Sequence, residues 1–438
     1  MDTLRILLIT HGLPPESVGG VEQHVTGLAG ALRAAGHDVE IFARSSREGP
    51  EGSLIEEGWN GCRVTRSPYR WESLHAMVDM YRSEVMDAAL CRFLDKRRVA
   101  GHAFDVAHIH HLTGLSTGFV DILQERGVRV VLTLHDYWLM CPRGQMWHRE
   151  EHPCHSVEPA QCAACLTPAL GHWLPPDRAV EIVTGVHDLA RATLRGVDRL
   201  LTPSARTIPF FERLGIPAAD IGVVENGVDT IALEAVAPPP IAGPLRIGYL
   251  GTLIPSKGLD VLIAAFLRAF PATEGHPSGA ATLAVHGNFA PYHGDEGFQD
   301  RAFGQVPAGA PVHYHGEYTT ADLPGLLADI DVLCAPALWH EAFGLTVREA
   351  QAAGRPVVVS RIGGLQDAVE DGVEGFVVTP GDVSELADRL TRLAADRGLV
   401  RTMGAAARRR TRGFAEMAAE LCTHYRGAAK LDPRRAGT

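Results

Sequence analysis

Short apolar runs alternate with longer amphipathic segments along nearly the whole chain. Apolar runs of about four to eight residues, separated by segments of helical periodicity, predict parallel strands whose sheet is covered by helices. The chain has 438 residues, which exceeds what one ordinary hydrophobic core holds. The sequence therefore predicts an α/β protein of two Rossmann-like domains that face each other across a crevice, where such sheets bind their ligands.

The alternation falls into two series, separated by a proline-rich stretch at residues 235–244 that we interpret as a linker. The first series predicts a helix from Gly19-Gly20 to about Ala35 and strands at residues 4–10, 39–43, 106–110, 130–135 and 199–203. The second predicts a helix at residues 258–270 and strands at residues 245–250, 283–286, 312–315, 331–335, 356–360 and 375–378. We therefore predict an N-terminal domain over residues 1–234 and a C-terminal domain over residues 245–412. Residues 413–438 are predicted to form a last helix and tail that cross back to the N-terminal domain.

The overall charge argues against several classes of partner. A net charge of −11 and a pI near 6.0 disfavour nucleic acid or an anionic membrane surface as the main partner. No apolar run reaches the length of about 18 residues that a transmembrane helix needs. The N-terminus has no cleavage site of a signal peptide and is interpreted as a first strand. We therefore expect a cytoplasmic protein in a reducing compartment.

Four of the eight cysteines are crowded into 25 residues, at Cys141, Cys154, Cys162 and Cys165. The surrounding segment, about residues 141–178, interrupts the alternation and is interpreted as an insertion in the N-terminal domain. Closely spaced thiolates with a closing C-x-x-C pair are typical of a structural zinc site, and a reducing compartment disfavours disulfides. An iron–sulfur cluster uses the same ligands, and buried thiols or two disulfides are the remaining alternatives. One thiolate could be replaced by one of three neighbouring histidines, His148, His152 and His155.

Two glutamates eight positions apart give the clearest indication of the chemistry of the site. Glu341 falls in the loop after the predicted strand 331–335, and Glu349 falls in the helix that ends at Gly354. Ionised carboxylates are strong double acceptors, suited to the vicinal hydroxyls of a ribose or a hexose. The alternative interpretation is that both are solvated acids on a helix face.

Glycine-rich segments and one lysine provide candidate phosphate contacts. Gly363-Gly364 precedes a predicted helix, whose N-terminal amides can hold a phosphate. Lys257 follows the first strand of the second series, and Gly19-Gly20 opens the first helix of the chain. An ordinary glycine turn or a surface lysine would explain any one of these segments taken alone.

In this order and spacing, these residues resemble the retaining GT-B glycosyltransferases of family GT4, also called glycosyl transferases group 1. The resemblance extends over most of the chain and implies the GT-B fold. It rests on Gly19-Gly20, Asn226-Gly227-Val228-Asp229, Lys257-Gly258, the Glu341/Glu349 pair, and Gly363-Gly364 with Asp371-Gly372 and Gly375. Thr252 stands where the family often has an arginine, so Lys257 is expected to carry more of the phosphate contact.

The resemblance implies a role for each position. The N-terminal domain would bind the acceptor, and the C-terminal domain would bind the donor, a UDP-, GDP- or dTDP-sugar. Glu349 would bind the donor ribose, Glu341 the transferred sugar, and Lys257 the diphosphate. The remaining donor contacts are expected at Gly19, Gly20, Thr252, Phe343, Gly344, Leu345 and Gly364, with the amide of Leu365 beside the last.

The family transfers its sugar with retention of configuration and needs no catalytic metal. The sequence agrees, because it has no DxD-like pair in a convincing metal-binding context. Three histidines follow predicted strand ends and are candidates to orient a sugar, namely His110, His111 and His135. His135 is expected to be catalytic together with Glu341 and Lys257. Histidines hydrogen-bonded for structural reasons are the alternative.

We therefore expect transfer of a sugar from a nucleoside-diphosphate sugar to a saccharide, a lipid-linked glycan precursor or a secondary metabolite. Two other functions remain open on the same scaffold. A non-hydrolysing nucleotide-sugar epimerase would turn over its substrate without an acceptor. A non-catalytic nucleotide-sugar sensor would bind the nucleotide and turn nothing over. Acceptor selection is expected in the least regular regions, residues 44–86 and 141–178, and the oligomeric state stays open.

Overall fold

The computed structural model describes residues 3–271, 279–291 and 295–427. Residues 428–438 of the predicted tail lie outside the described residues. The strands are β1 (Arg5–Thr10), β2 (Asp38–Ser45), β3 (Ile55–Trp59), β4 (Cys62–Pro68), β5 (Val106–Ile109), β6 (Arg129–Thr133), β7 (Arg199–Thr202), β8 (Ile221–Val223), β9 (Leu245–Leu250), β10 (Ala281–His286), β11 (Val312–Tyr314), β12 (Val332–Ala335), β13 (Val357–Ser360) and β14 (Gly375–Val378).

The α-helices are α1 (Gly20–Ala34), α2 (Glu84–Val99), α3 (Phe119–Glu125), α4 (Pro159–Leu170), α5 (Ala179–Gly196), α6 (Ile208–Arg213), α7 (Thr230–Glu234), α8 (Leu259–Ala269), α9 (Phe298–Gly304), α10 (Leu323–Asp329), α11 (Leu345–Ala352), α12 (Val383–Ala395), α13 (Arg397–Arg410) and α14 (Phe414–Gly427). Within the described ranges, none of these helices is long and apolar enough to span a membrane.

The chain divides into two units. The first comprises Met1–Gly144, His155–Gly227 and Phe414–Thr438, and the second comprises Gln145–Cys154 and Val228–Gly413. The division differs from the predicted boundaries in two places. The second unit begins at Val228, because Asp229 caps α7 and α7 packs against α10 and α11. The middle of the predicted insertion, Gln145–Cys154, also belongs to the second unit.

The first unit is built on an eight-stranded sheet in the order β3-β4-β2-β1-β5-β6-β7-β8. Its neighbouring strands are parallel except for β3, which is antiparallel to β4. The central strand β1 has a continuous apolar run whose residues Ile6, Leu7 and Leu8 are fully buried, as expected when helices cover both faces. The last helix, α14, packs against α1 in this unit and adds Met417 and Leu421 to its core.

The second unit is built on a six-stranded parallel sheet in the order β11-β10-β9-β12-β13-β14. Its strand order reverses direction at β9, the first strand of the unit, as in doubly wound folds. Helices α8 and α12 pack against each other and contribute Leu262 and Leu390 to the core. Because β9 and β12 are parallel neighbours, their carboxyl ends lie side by side at one edge of this sheet.

The proline-rich stretch 235–244 is anchored to the second unit. Three arginines of that unit donate hydrogen bonds to its carbonyl oxygens: Arg408 to Val236 at 2.8 Å, Arg355 to Ala237 at 2.8 Å and Arg397 to Pro240 at 3.2 Å. Prolines have no amide N–H, so their segment offers mainly carbonyl acceptors. Guanidinium groups, which have only donors, are suited to bind them.

Candidate functional site

Two loops of the second unit bring Lys257 and Glu341 together. Lys257 ends a 3-10 turn, Pro255–Lys257, that follows β9, and Glu341 lies in the loop after β12. The loops touch through their backbones, because the amide of Leu338 donates to the carbonyl of Ser256 at 2.8 Å. The Nζ of Lys257 donates to Oε2 of Glu341 and lies 5.1 Å from the ring centroid of Trp339. The pair is partly exposed, with 26% and 18% of the side-chain surfaces accessible.

Gly258 allows this approach of the two loops. Its φ of 71° is in the left-handed region, and a Cβ atom there would lie 2.1 Å from the carbonyl oxygen of Pro336. Any larger residue would push the β9 loop away from the β12 loop. Gly258 also precedes the first residue of α8, so it fixes the end of the lysine-bearing turn.

Glu349 has a different environment from Glu341. It lies on α11, whose N-cap Gly344 has a φ of 81°, and only 7% of the residue is exposed. Burial raises the pKa of the Glu349 carboxyl to about 7. Burial and then the charge of Glu349 raise the pKa of Tyr318, so this phenol lies within electrostatic reach of the carboxylate. The interpretation of both glutamates as solvated acids is therefore wrong for Glu349.

The Gly363-Gly364 pair positions the Glu341 loop. A Cβ atom on Gly363, where φ is 52°, would lie 2.3 Å from the carbonyl oxygen of Glu341, and one on Gly364 would lie 2.3 Å from that of Ala342. The amide of Gly364 donates to the Glu341 carbonyl at 2.7 Å. This amide, expected from the sequence to contact the donor, is thus engaged inside the protein. The pair begins a 3-10 helix, Gly363–Ala368.

The other expected donor positions of the second unit surround these loops. Phe343 lies directly before the Gly344 cap, with the guanidinium carbon of Arg348 4.8 Å from its ring centroid, and Leu345 begins α11. The carbonyl of Thr252 accepts a hydrogen bond from the hydroxyl of Tyr249 at 3.3 Å. Burial and then the charge of Glu341 raise the pKa of Tyr249. Thr252 therefore lies in the same loop system as Glu341.

In the first unit, Gly19-Gly20 forms the start of α1. Gly19 is the N-cap and makes no side-chain cap hydrogen bond, and Gly20 is the first helical residue. A Cβ atom on Gly20 would meet no atom within 4 Å, so the space beside this amide is open. The first turn also carries Glu22, which is 3% exposed and accepts a hydrogen bond from the hydroxyl of Ser17.

The three predicted histidines lie at one edge of the first sheet, because β5 and β6 are parallel neighbours. Nδ1 of His110 lies 3.1 Å from Nε2 of His135, and Nε2 of His111 lies 3.0 Å from Oδ2 of Asp136. Burial, followed by the neighbouring histidines, holds the pKa of both His110 and His135 well below the usual range. These two imidazoles are therefore neutral. All three line a pocket with about 280 Å³ of empty space, counted with its open mouth.

Sequence reasoning missed His24, which lies on α1 beside this edge. Its ring centroid is 5.1 Å from that of His110 and 4.7 Å from that of His135. Burial lowers the pKa of His24 to about 3. The signal was available in the sequence, because His24 follows Gly20 by four positions and therefore lies on the same helix face.

The four clustered cysteines are placed by different elements. Cys162 and Cys165 lie on α4, three positions apart and so on one helix face, and Cys141 lies in the same unit. Burial, and then the charges of Cys141, Asp136 and Cys162, raise the pKa of Tyr81, so both sulfurs lie near this phenol. Cys154 lies in the segment that belongs to the second unit. The structure forms no disulfide bond among these four cysteines.

The fold and the site together define a class of protein, the GT-B glycosyltransferases. Residues 18–231 match the family described as Glycosyltransferase Family 4, and residues 244–396 match Glycosyl transferases group 1. The chain therefore belongs to the GT4 family of glycosyltransferases, which confirms the resemblance found in the sequence. It is accordingly a transferase enzyme.

Curated relatives match over most of their own length. A glycogen synthase from Mycobacterium tuberculosis is 28% identical over 415 residues, covering 93% of this chain and 90% of the relative. A D-inositol 3-phosphate glycosyltransferase from Salinispora arenicola is 28% identical over 428 residues, covering 90% and 84%.

Solved structures confirm the fold. Sucrose-phosphate synthase from Thermosynechococcus elongatus matches with a TM-score of 0.65 at 20% identity, covering 97% of this chain and 98% of that one. The Anabaena protein HepE, solved in complex with UDP, matches with a TM-score of 0.66 at 17% identity, covering 97% and 100%.

Proposed function

We propose that this enzyme transfers a sugar from a nucleoside-diphosphate sugar to a hydroxyl of a saccharide, lipid-linked or secondary-metabolite acceptor, with retention of configuration. The observation that carries the proposal is the Lys257–Glu341 ion pair on the same α/β unit as the buried carboxyl of Glu349. A cation, a partly exposed carboxylate and a buried carboxyl suit the three polar parts of such a donor, namely its diphosphate, its sugar and its ribose. We place the enzyme in the cytoplasm, where such donors are available.

Lys257 would bind the diphosphate. An ammonium group has three donors, and one of them goes to Glu341, which leaves two for phosphate oxygens. Binding of the diphosphate would strengthen as the leaving group gains charge, so this contact favours the transition state over the ground state. In the first unit, the open start of α1 at Gly20 offers backbone amides of the kind that bind phosphates.

Glu341 and Glu349 would hold hydroxyl groups of different parts of the donor. Glu349 sits on a rigid helix and is buried, which suits a fixed ribose contact. Glu341 lies in a loop held by a backbone hydrogen bond to Gly364 and would contact the sugar that is transferred. In the transfer, the bond between the anomeric carbon and the diphosphate oxygen breaks, and a bond to the acceptor oxygen forms on the same face. The acceptor proton passes to the departing diphosphate, so no carboxylate is needed as a base.

His135 would orient a sugar hydroxyl. It lines the pocket of the first unit, and its ring is held by His110 at 3.1 Å. A neutral imidazole can donate through one nitrogen while the other accepts, which suits a hydroxyl group.

A UDP-sugar is the first donor to test. Structural neighbours were solved with UDP-glucose, in the case of Anabaena HepE, and with ADP and acarbose, in the case of starch synthase IV from Arabidopsis thaliana. A thermal-shift series with UDP, GDP, dTDP and ADP would rank the bases, because a ligand at 100 times its Kd stabilises by about 2.7 kcal/mol.

The deciding experiment follows both nucleotide binding and product formation. Glu349→Ala should weaken the binding of nucleoside diphosphate by about 1.5–3 kcal/mol, the contribution of hydrogen bonds to a charged group. Glu341→Ala should lower turnover while the nucleotide still binds. Product NMR should show the anomeric configuration of the donor, and an inverted centre would remove the enzyme from the retaining group. Turnover of the donor without any acceptor would instead identify an epimerase, and nucleotide binding without turnover would identify a sensor.

A further inference from the structure

The edge of the first sheet holds a group of three histidines from three different elements. His24 comes from α1, His110 follows β5 and His135 follows β6. One ring nitrogen of each lies within 4.8 Å of the others. The ring centroids of His110 and His135 are 5.4 Å apart. The ring centroid of His24 lies 5.1 Å from that of His110 and 4.7 Å from that of His135.

Several of these nitrogens have no protein partner. Both ring nitrogens of His24 are buried without a hydrogen-bond partner among the described residues, and His24 is only 2% exposed. Nε2 of His110 is also buried and unpartnered within the described part of the chain, whereas its other ring nitrogen, Nδ1, is the one that faces His135. A neutral imidazole has one donor and one acceptor, and buried polar groups are nearly always satisfied in folded proteins. The packing of the described residues therefore leaves His24 unexplained.

We propose that His24, His110 and His135 form a binding site for a divalent transition-metal ion such as Zn²⁺, Co²⁺ or Ni²⁺. Imidazole nitrogens are preferred ligands of these ions, which they bind at about 2.1 Å. Two ligand nitrogens of a tetrahedral ion then lie about 3.4 Å apart, and His110 Nδ1 and His135 Nε2 are already 3.1 Å apart. Side-chain rotation of His24 would complete the set.

The fourth coordination position would face the pocket. His110 and His135 both line its wall, and the pocket has about 20 Å³ of space for the centre of a water-sized sphere, above the roughly 10–15 Å³ that one water molecule needs. Three histidines with one open position are the ligand pattern of zinc sites that keep an exchangeable ligand. This differs from the closed set of thiolates expected at the cysteine cluster, so the two sites are separable by spectroscopy.

Cobalt titration of the full-length protein tests the proposal. Cobalt bound by thiolates gives intense sulfur-to-metal charge-transfer bands, whereas cobalt bound by imidazoles gives only weaker ligand-field bands. We expect the wild-type protein to bind one equivalent of cobalt without thiolate ligands, seen as ligand-field bands. His24→Phe removes both unpartnered nitrogens and should lower the affinity for this cobalt ion by about tenfold or more. Tenfold is the lower end of the effect of altering groups around a bound metal. His102→Phe is the matched control, because His102 is a partly buried histidine in the segment that precedes β5, on the side of its amino end.

His24→Gln is a second variant that keeps a polar side chain if the phenylalanine perturbs α1. Circular dichroism and the melting temperature report whether each variant is folded. A wild-type protein with no thiolate-free cobalt at micromolar concentration, or folded His24 variants that bind it as tightly as the wild type, would overturn the proposal. The measurement reads metal binding directly, so its outcome does not depend on glycosyltransferase activity.

Discussion

Glu349 combines two demands that oppose each other. A donor contact benefits from an ionised carboxylate, which is the stronger acceptor, but burial favours the neutral carboxyl and raises its pKa to about 7. Near neutral pH the residue is therefore divided between the two forms. Glu341 has a different environment, because it pairs with the Lys257 ammonium and part of its surface stays in water.

The raised pKa of Glu349 predicts a pH-dependent stability. Between the usual pKa of 4.5 and the folded value of about 7, the folded protein binds more protons at this site than the unfolded chain. Stability is therefore lost as pH rises through this window, by about 3 kcal/mol in total. Glu349→Gln does not titrate, so its free energy of unfolding relative to the wild type should improve by about that amount between pH 4.5 and pH 8.

Denaturant unfolding of both proteins at several pH values measures this difference. Glu317→Gln is the control, because Glu317 is an exposed glutamate next to Tyr318 in the same unit. It should show little change across the window. A constant difference between the wild type and Glu349→Gln would show that the carboxyl is not held neutral by burial.

At the scale of elements, the two glycine-containing loops decide where the charged side chains lie. The lysine-bearing turn after β9 and the loop after β12 approach within backbone contact only because Gly258 has no Cβ. Gly258→Ala should therefore displace Lys257 from Glu341. The left-handed φ of 71° alone costs a residue with a side chain about 1–2 kcal/mol, and the contact with Pro336 adds to it.

Calorimetric titration with UDP and the melting temperature report the two effects of Gly258→Ala. We expect a lower melting temperature and nucleotide affinity weakened by tenfold or more, because the diphosphate contact moves. Gly279→Ala is the matched control, since a Cβ atom there meets no atom within 4 Å. Unchanged nucleotide affinity in a folded Gly258→Ala protein would mean that Lys257 is not a diphosphate ligand.

Some elements could be predicted from the sequence and others could not, for physical reasons. Central strands such as β1 and β9 are buried on both faces, so their apolar runs are continuous and easy to recognise. The hairpin β3–β4 was missed although its turn has the usual signal. Asn60 and Gly61 have φ values of 48° and 74°, the left-handed pair that a two-residue hairpin turn requires. The edge strand β3 has no fully buried residue, which weakens the apolar signal of the hairpin.

The candidate site shows the same division. Glu341, Glu349 and Lys257 could be placed from their positions after strands or inside a helix. The burial of Glu349 could not, because burial depends on tertiary packing, which also brings Tyr318 within electrostatic reach from 31 positions earlier. The occupied amide of Gly364 was also hidden, since its acceptor is the carbonyl of Glu341, 23 positions earlier. Sequence patterns therefore locate chemical groups, whereas their protonation and hydrogen bonding come from tertiary packing.

At the scale of the whole molecule, the cysteine cluster is the feature that the family does not explain. We propose that Cys141, Cys154, Cys162 and Cys165 hold one zinc ion in a structural role. Cys162 and Cys165 share a face of α4, and Cys141 and Cys162 both lie near Tyr81. Thiolates brought together repel one another, and a bound cation would offset that repulsion.

Elemental analysis of protein purified without a metal-affinity step tests the zinc proposal. We expect about one thiolate-bound zinc per chain, and Cys162→Ser should lower both the zinc content and the melting temperature. Donor affinity should change less, because the proposed donor contacts of Lys257 and Glu349 lie on other elements. Cys334→Ser is the matched control, since Cys334 is a buried cysteine on β12 outside the cluster, and its zinc content should stay at the wild-type level. Iron with visible absorption would identify an iron–sulfur cluster instead. Protein that carries no metal and shows four thiols accessible to titration would refute both assignments, because a bound metal would occupy those thiols.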